Sequence, residues 1–490
     1  MHPTSRPDRN LCSPSRVHRL VPQRILLICS LAVTLLGGAL AFTATAAHAT
    51  GPEVGVADDR TLLAGGKRTD KAVREWQRNG VDVVRIFALW SRFAPTPHAR
   101  RAPKHFDARD PNSGYNWWAL DQAVARVRAA GLKVMLTVSG PAPRWATGKH
   151  KRNGTYKPSA SAYGNYARAV ARRYGPAVDR YVLWNEPNSG AFLGPQSEGK
   201  GRRQALVAAH VYRRLVRAAY RAIHQADRGA QVLIGALAPK AADRKNKTTS
   251  PLAFMRAFGC VDSRMHRLRK GWCKRYKAPT GDGFAVHPYG ARTAPDLAPR
   301  GVEDVNLATL DRIEATLDRL RRMHRVKGPR RMGIFVDEYG YQTNPPDRRS
   351  GVRPRVQDQW LQRGAYLAWR NHRIKLLTQY LWYDEPKAHG SYANWQSGVR
   401  YARGRAKPSL RHFDTPFAVD SRRSRLWGQM RPGGRQRVLV QQRPRGRHAW
   451  RTIKRVWTDR RGYWTLKRRL AAGTWYRFRA GSATSSALRR

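Results

Sequence analysis

The sequence predicts an α/β fold, a (β/α)8 TIM barrel, followed by a small all-β, sandwich-like domain. Three observations support this prediction. Apolar runs of strand length alternate with helix-type patterns from residue 53 to residue 382. Two of the most apolar runs end in acidic residues, at Glu186 and Glu338. From about residue 421 the pattern changes to short period-two strands between Gly-containing turns, which is typical of an antiparallel domain.

The barrel elements follow one another in chain order. Strands are predicted at residues 53–57, 81–90, 132–138, 181–184, 232–235, 283–287, 332–338 and 376–382. Helices are predicted at residues 71–79, 116–130, 160–174, 203–225, 304–325 and 357–371. Because the active site of such a barrel lies at the C-terminal ends of its strands, both acidic strand ends are expected at one mouth.

The predicted domains are a signal peptide at residues 1–49, a barrel at 50–420 and an Arg-rich β module at 421–490. The module strands are predicted at residues 426–429, 437–441, 450–456, 462–466 and 475–479. Aromatic residues in so small a module usually form its core, although they could also stack on sugars. Its dense arginines make the module the best candidate in the chain for docking on an anionic surface.

The N-terminus has the pattern of a secretory signal. Arginines precede an apolar stretch at residues 25–42 and an Ala-His-Ala site at residues 47–49. This predicts a secreted or cell-surface protein that begins near Thr50, with an uncleaved membrane anchor as the alternative. Only Cys260 and Cys273 lie beyond the segment, and we expect them to form a disulfide worth about 3 kcal/mol. No metal site and no cofactor are predicted.

The formal net charge of +62 is spread along the whole chain. Such a field attracts polyanions, and acidic polysaccharide, phosphate-rich cell-wall polymer, nucleic acid and anionic membranes all qualify. No sequence-specific nucleic-acid binding is expected, and a membrane partner is expected only if the N-terminal segment stays uncleaved. The alternative is a highly charged surface that serves solubility alone.

Glu186 and Glu338 stand out because glutamate is rare in this chain, with eight in 490 residues. Two carboxyl groups facing one another are the requirement for glycoside hydrolysis. The alternative is that each of these glutamates caps a helix or forms a salt bridge with one of the abundant arginines. Arg85 is also unusual, since it lies between apolar residues of the second predicted strand and needs a partner if buried. An ion pair with Asp82 or Asp58 at the barrel floor is one alternative for it.

Three runs resemble one large family of enzymes. They are Trp-Asn-Glu-Pro-Asn at residues 184–188, His-Pro-Tyr at residues 287–289 and Asp-Glu-Tyr-Gly at residues 337–340. Over roughly residues 52–415 the chain resembles the clan of retaining glycosidases built on (β/α)8 barrels, which includes cellulase-like family 5 and xylosidase-like family 39. The resemblance implies Glu186 on strand 4 as general acid/base and Glu338 on strand 7 as nucleophile.

The same resemblance implies roles for the substrate-binding residues. Asn185 would hydrogen-bond the sugar 2-hydroxyl, and Tyr289 and Arg85 would both donate to Glu338. His287 would line the same wall. A neighbouring cation and a hydrogen-bond donor favour the ionised form of a carboxylate, as a nucleophile requires.

Trp382, at the end of the eighth predicted strand, is expected to be the platform under the sugar, with Tyr380 as the alternative on the same side. Outer subsite walls, each equally well explained as core, are predicted at four further aromatic residues: Trp90, Trp145, Tyr341 and Trp395.

The predicted function is therefore that of a secreted retaining glycoside hydrolase that cleaves a polysaccharide, a β-glycan of the cellulase, mannanase or xylosidase type. Two alternatives remain open. One is an inactive barrel that only binds carbohydrate, and the other is a polyanion-binding surface protein that uses the barrel as a carrier. The intact pair of glutamates argues against the first alternative, and the charge alone supports the second.

Overall fold

The computed structural model describes residues 51–199, 201, 204–242, 247–386 and 394–490. Eight parallel strands close into a barrel in chain order, with β1 paired to both β2 and β8. The strands are β1 Glu53–Ala57, β2 Val83–Leu89, β3 Lys133–Ser139, β4 Arg180–Leu183, β5 Gln231–Leu237, β6 Gly283–Val286, β7 Gly333–Tyr339 and β8 Ile374–Tyr380. This confirms the predicted fold class.

Helices surround the barrel because each presents an apolar stripe to the strands. In α2, for example, Ala72, Val73 and Trp76 are buried at helical spacing. The α-helices are α1 Asp59–Ala64, α2 Gly66–Arg78, α3 Trp90–Phe93, α4 Trp118–Ala129, α5 Ala160–Tyr174, α6 Val207–Ala226, α7 Pro251–Gly259, α8 Leu310–Arg322, α9 Pro354–Arg370 and α10 Pro408–Arg411. The short α7, which begins at a proline, has no counterpart among the predicted helices.

The barrel interior changes character from one end to the other. At the N-terminal ends of the strands, buried Glu53 forms ion pairs with Lys133 and Arg180. Burial alone would raise the pKa of Glu53, but the charge of Arg180 and the hydrogen bond from Lys133 lower it. An apolar layer that includes Met135 and Leu233 fills the middle. The interior is therefore closed at this end, and the opposite mouth is left for chemistry.

Antiparallel sheets follow the barrel. They contain β9 Phe417–Asp420, β10 Arg425–Gln429, β11 Arg437–Arg443, β12 Arg451–Trp457, β13 Tyr463–Lys467, β14 Trp475–Ala480, β15 Ala483–Thr484 and β16 Leu488–Arg489. β9, β10 and β13 form one sheet, and β11, β12, β14, β15 and β16 form another. Because β9 pairs with β10, the antiparallel region begins at Phe417, ahead of the predicted boundary at residue 421.

Buried contacts join these sheets to the barrel. The Tyr366 hydroxyl of α9 donates to Asp420 at 2.6 Å, and the Tyr463 hydroxyl donates to the Pro52 carbonyl at 2.9 Å. Trp427 packs in the same cluster as Tyr366. The described residues of barrel and sheets belong to one compact unit. The sheets contact the start of β1, at the barrel end opposite Glu186 and Glu338.

Cys260 and Cys273 form the predicted disulfide, which closes a loop between α7 and β6. The predicted signal peptide, residues 1–49, lies outside the described residues. In the part of the chain that is described, no helix has the length and apolar character needed to cross a bilayer.

Candidate active site

Asn185 and Glu186 lie just beyond the end of β4 on a strained turn. The φ angles of Trp184 and Glu186 are positive, at 69° and 36°, which is unfavourable for residues with a side chain. Two contacts hold the turn in place. The indole of buried Trp184 donates to the Phe192 carbonyl at 3.1 Å, and the backbone N–H of Glu186 donates to the Ala236 carbonyl at 2.9 Å. The turn thus aims both side chains at the barrel mouth.

Asn188, the last residue of the same run, has a structural role. Its side-chain amide donates to the carbonyls of Ala238 and Thr249, and its oxygen accepts from the N–H of Ala238. These bonds tie the loop after β4 to the loop after β5.

Arg85 on β2 lies at the centre of the site and is fully buried. It donates to Glu338 at 2.6 Å, to Asn185 at 2.9 Å and to Thr137 at 2.9 Å, and it lies 3.4 Å from Asp337. Burial alone would lower the pKa of Arg85, but the carboxylates of Glu338 and Asp337 raise it. The alternative pairing with Asp82 or Asp58 at the barrel floor is therefore wrong.

The contact with Arg85 determines how Asn185 points. A guanidinium group can only donate hydrogen bonds, so the Asn185 atom that faces Arg85 is the amide oxygen. The amide nitrogen consequently faces the other way. Because Asn185 is itself buried, this orientation is held without help from solvent.

Glu338 on β7 accepts a second hydrogen bond, at 2.9 Å, from the Tyr289 hydroxyl. Burial, followed by the charge of Glu338, raises the pKa of Tyr289 well above its ordinary value, so the phenol keeps its proton and donates. Glu338 therefore receives one hydrogen bond on each carboxylate oxygen, from Arg85 and from Tyr289.

His287 joins the two glutamates. Its Nδ1 lies 3.0 Å from Glu186 and 3.5 Å from Glu338, and its Nε2 lies 3.4 Å from Asp337. Burial alone would lower the pKa of His287, but the charges of Glu338 and Asp337, with hydrogen bonds to Asp337 and Glu186, raise it to about 10. The raised pKa favours a charged ring at neutral pH, with Nδ1 facing Glu186 and Nε2 facing Asp337, a larger role than the wall position predicted for His287.

Trp382 is not in the site, which corrects the prediction that it forms the sugar platform. It is fully buried, its indole donates to Glu75 at 2.9 Å, and its ring packs edge-on against Phe413. β8 ends at Tyr380, so the alternation that would have aimed Trp382 at the mouth stops before it.

Tyr380 and Trp395 lie at the mouth instead. The Trp395 ring is 5.0 Å from that of Tyr289 and 5.6 Å from that of Tyr380, and Trp395 is 37% exposed. The backbone N–H of Trp395 donates to the Glu385 carboxylate at 2.8 Å, which holds this loop against the chain that leaves β8. Of the other predicted walls, Trp90 and Tyr341 are core residues and Trp145 is partly buried.

Four contributors to the site were missed by sequence reasoning. Thr137 and Asp337 contact Arg85 directly, and the Phe87 ring lies 4.2 Å from its guanidinium carbon. Asp337 had a signal, an acidic residue inside an apolar strand, but Thr137 had none. Asp59 lines an open cleft of about 460 Å³ beside Tyr380, and burial raises its pKa to about 6.

Two groups of side chains have a composition that could hold a metal ion. One is His210 with Cys260 and Cys273, but both sulfurs are in the disulfide. The other is Glu186, His287 and Glu338, each of which offers one atom within 4.8 Å of the others. A metal bound there would have to displace the proton that His287 holds at neutral pH.

Four of the remaining described glutamates have cationic partners of their own. Glu75 pairs with Arg400, Glu198 with Lys157 and Glu303 with Arg256, and Glu53 closes the barrel floor. The salt-bridge interpretation therefore fits these glutamates. It does not fit Glu186, whose polar partner is His287.

Comparison with known proteins gives a likeness at the level of the fold. No family model and no curated protein matches the chain. Similar solved structures include a family 39 glycoside hydrolase from Bacteroides cellulosilyticus, with 15% identity, a TM-score of 0.48, and coverage of 85% of this chain and 79% of that one. A glucosidase from Croceicoccus marinus has 12% identity and a TM-score of 0.47, covering 82% of this chain and 90% of that one.

A family 1 β-glucosidase from Thermotoga maritima is similar at 15% identity and a TM-score of 0.45, with coverage of 71% of this chain and 85% of that chain. These solved structures are glycoside hydrolases. At such identities, the chemistry of this chain has to be argued from its own residues.

Proposed function

We propose that this protein is a retaining glycoside hydrolase, with Glu186 as general acid/base and Glu338 as nucleophile. One observation carries the proposal: a carboxylate oxygen of Glu186 lies within 4.8 Å of one from Glu338. Retaining enzymes place their carboxyl groups about 5–5.5 Å apart, whereas inverting enzymes need about 6.5–9.5 Å to admit a water between them. The short separation favours direct attack on the sugar by one of the two groups.

The surroundings of each glutamate support the division of roles. Glu338 is held by Arg85 and Tyr289 and its side chain is 8% exposed, which suits a nucleophile that is fixed in position. The Glu186 side chain is 19% exposed, and its contact with His287 involves only one of its two carboxylate oxygens. This suits a group that must reach a departing oxygen.

Double displacement then proceeds in two steps. Glu338 attacks the anomeric carbon while Glu186 gives its proton to the leaving oxygen, and a glycosyl-enzyme ester forms. Glu186 next removes a proton from water, which attacks the anomeric carbon and releases Glu338. His287 donates to Glu186 and steadies the carboxylate that exists between the two steps.

The remaining site residues are assigned to the sugar. The Asn185 amide nitrogen, turned away from Arg85, is placed to donate to a hydroxyl beside the reacting carbon. Trp395 and Tyr380 offer aromatic surface at the mouth, as sugar-binding walls require. The proposed substrate is a polysaccharide, a β-glycan, which an open mouth of this kind can admit.

Substitution of each glutamate tests which of the two is the nucleophile and which is the general acid/base. Glu338→Ala should abolish hydrolysis of glycans and of activated aryl glycosides, because every substrate needs the nucleophile. Glu186→Ala should lose glycans but still form the glycosyl-enzyme from a glycoside with an acidic phenol, seen as a burst. Added azide should restore its turnover with retention, because azide needs no general base.

Glu198→Ala is the matched control, since Glu198 follows the same strand and pairs with Lys157 on the surface. It should retain full activity on all substrates. Exchange of the two phenotypes would overturn the role assignment. Absence of turnover by the unaltered protein on a broad polysaccharide panel would favour the alternative, a carbohydrate- or polyanion-binding surface protein.

Export belongs to the same proposal. The N-terminal signal pattern and the Cys260–Cys273 disulfide both suit a secreted or cell-surface protein. Mass spectrometry of protein purified from its natural host should give an N-terminus near Thr50. An N-terminus at Met1 would contradict cleavage.

A further inference from the structure

One face of the five-stranded sheet is turned to solvent and carries arginine and tryptophan. Val438 and Val440 of β11 and Phe478 of β14 are buried, so the alternate residues of these strands point outward. We call this surface the arginine–tryptophan face. It consists of Arg437, Leu439, Arg443, Trp450, Arg455, Trp457, Trp475, Arg477 and Arg479, with buried Gln441 accepting from Arg477 among them.

The strand register brings these side chains into rows. Leu439 lies opposite both Arg455 and Arg479, and Arg443 lies opposite Trp475. Side chains that are directly opposite one another on neighbouring strands have Cβ atoms about 4.5–5.5 Å apart. From Arg437 to Arg443 the face runs about 20 Å, at ~3.4 Å per residue.

Two arginines of the face, Arg443 and Arg477, are held in place by aromatic rings. The guanidinium carbons of Arg443 and Arg477 lie 5.0 Å and 4.2 Å from the centre of the Trp450 ring. Arg477 also donates to Gln441 at 2.9 Å. Stacking of this kind fixes a guanidinium group without consuming its N–H donors, and the terminal nitrogens of Arg477 point away from its Nε bond to Gln441 as further donors for a ligand.

The sequence that forms the face offers few carboxylates to neutralise its positive charge. Residues 421–490 contain a single acidic residue, Asp459, which accepts from backbone N–H groups in the turn before β13. The ion pairs described for this part of the chain involve other arginines, Arg423 and Arg461. Burial and then the like charges of Arg479 and Arg443 lower the pKa of Arg477.

We propose that the arginine–tryptophan face binds a carboxylated polysaccharide chain laid along the sheet. Arginine forks match carboxylates in bidentate pairs, and the Trp457 ring, which is 57% exposed, offers flat apolar surface to a sugar ring. The choice of a sugar polymer over a nucleic acid rests on the proposed glycosidase function. The presence of an anionic site rests on the face alone.

Binding of the full chain to immobilised alginate, a polyuronate, tests the proposal. The triple variant Arg443→Gln, Arg477→Gln, Arg479→Gln should bind at least tenfold more weakly at ~0.1 M salt, because each lost charge-assisted contact is substantial. The control triple Arg74→Gln, Arg221→Gln, Arg331→Gln removes the same charge from exposed positions elsewhere. It should bind within about twofold of the unaltered protein, since it leaves the face intact.

Three outcomes would overturn the proposal. Equal losses in both triples would mean that net charge alone attracts alginate. If the protein retains a single-stranded oligonucleotide to higher salt than alginate, and the face triple loses this retention, the face is a nucleic-acid site. If the protein binds a neutral β-glucan as strongly as alginate, the charge of the face does not determine binding. Thermal unfolding checks that the triple is folded, and the single variant Arg479→Gln repeats the test with a smaller change.

The alginate-binding test is independent of the proposed hydrolase activity. Glu338→Ala should bind alginate like the unaltered protein while losing turnover, because the face contains no site residue. A protein that binds alginate through the face but hydrolyses nothing would leave the face in place and refute the glycosidase proposal instead.

Discussion

The charge on His287 makes a quantitative prediction about stability. In the folded protein the pKa of His287 is raised from its ordinary value of 6.5 to about 10. Because the folded state holds the proton more tightly, this group stabilises the fold fully below pH 6.5. The stabilisation is lost as the pH rises from 6.5 to 10. At about 1.36 kcal/mol per pH unit, the whole change is on the order of 5 kcal/mol.

Comparison with His287→Gln isolates this contribution. Urea unfolding is measured at each pH from 6 to 10 for both proteins, and the difference in unfolding free energy is plotted against pH. The difference should fall steadily through this window. Other groups that titrate there, such as Lys407, whose pKa burial lowers to about 8, are common to both proteins and cancel.

His210→Gln is the matched control. His210 is also buried, but burial and then the charge of Arg213 lower its pKa to about 3, so it is neutral across the whole range. The difference in unfolding free energy between His210→Gln and the unaltered protein should be independent of pH above 7. If the His287→Gln difference is equally flat from pH 6 to 10, His287 is not an imidazolium and the electrostatic account of the site is refuted.

Four further predictions concern the rest of the molecule. Trp382→Phe should lower stability by about 1–3 kcal/mol, because it leaves a buried carboxylate without its indole donor, with KM unchanged. Trp395→Ala should raise KM for glycans and leave stability unchanged; the reverse pattern would restore Trp382 as the platform. Deletion of residues 417–490 should lower the thermal midpoint sharply, since it uncovers the apolar face of α9; an unchanged midpoint would mean the module is separable. Cys260→Ser with Cys273→Ser should cost about 3 kcal/mol in urea unfolding, and reductant should reproduce the loss in the unaltered protein.

The barrel could be predicted because its signals are local. Each strand is an apolar run, most connections carry a helical stripe, and closure follows from repetition of the unit. Helix α7 was missed because nine residues beginning at a proline give little periodicity. Strand β9, Phe417–Asp420, had no counterpart among the predicted strands because it is a strand only through its pairing with β10.

The site could be predicted where a residue type alone implies a need. A buried arginine on a strand must have a carboxylate partner, and two strand-end glutamates in one barrel must share a mouth. The identity of the partner was a different matter. Arg85 had acidic candidates at several heights in the barrel, and only the fold shows that it pairs with Glu338 and Asp337.

By itself, the sequence determined the fold class, the disulfide and the two glutamates at one mouth, because strand period, residue type and chain order carry that information. Only the tertiary structure decided the separation of the two carboxylates, the charge of His287 and the exchange of Trp382 for Trp395 at the mouth. Each depends on distances between side chains far apart in the chain. For the tryptophans, the point where β8 stops determines which ring is buried and which faces solvent.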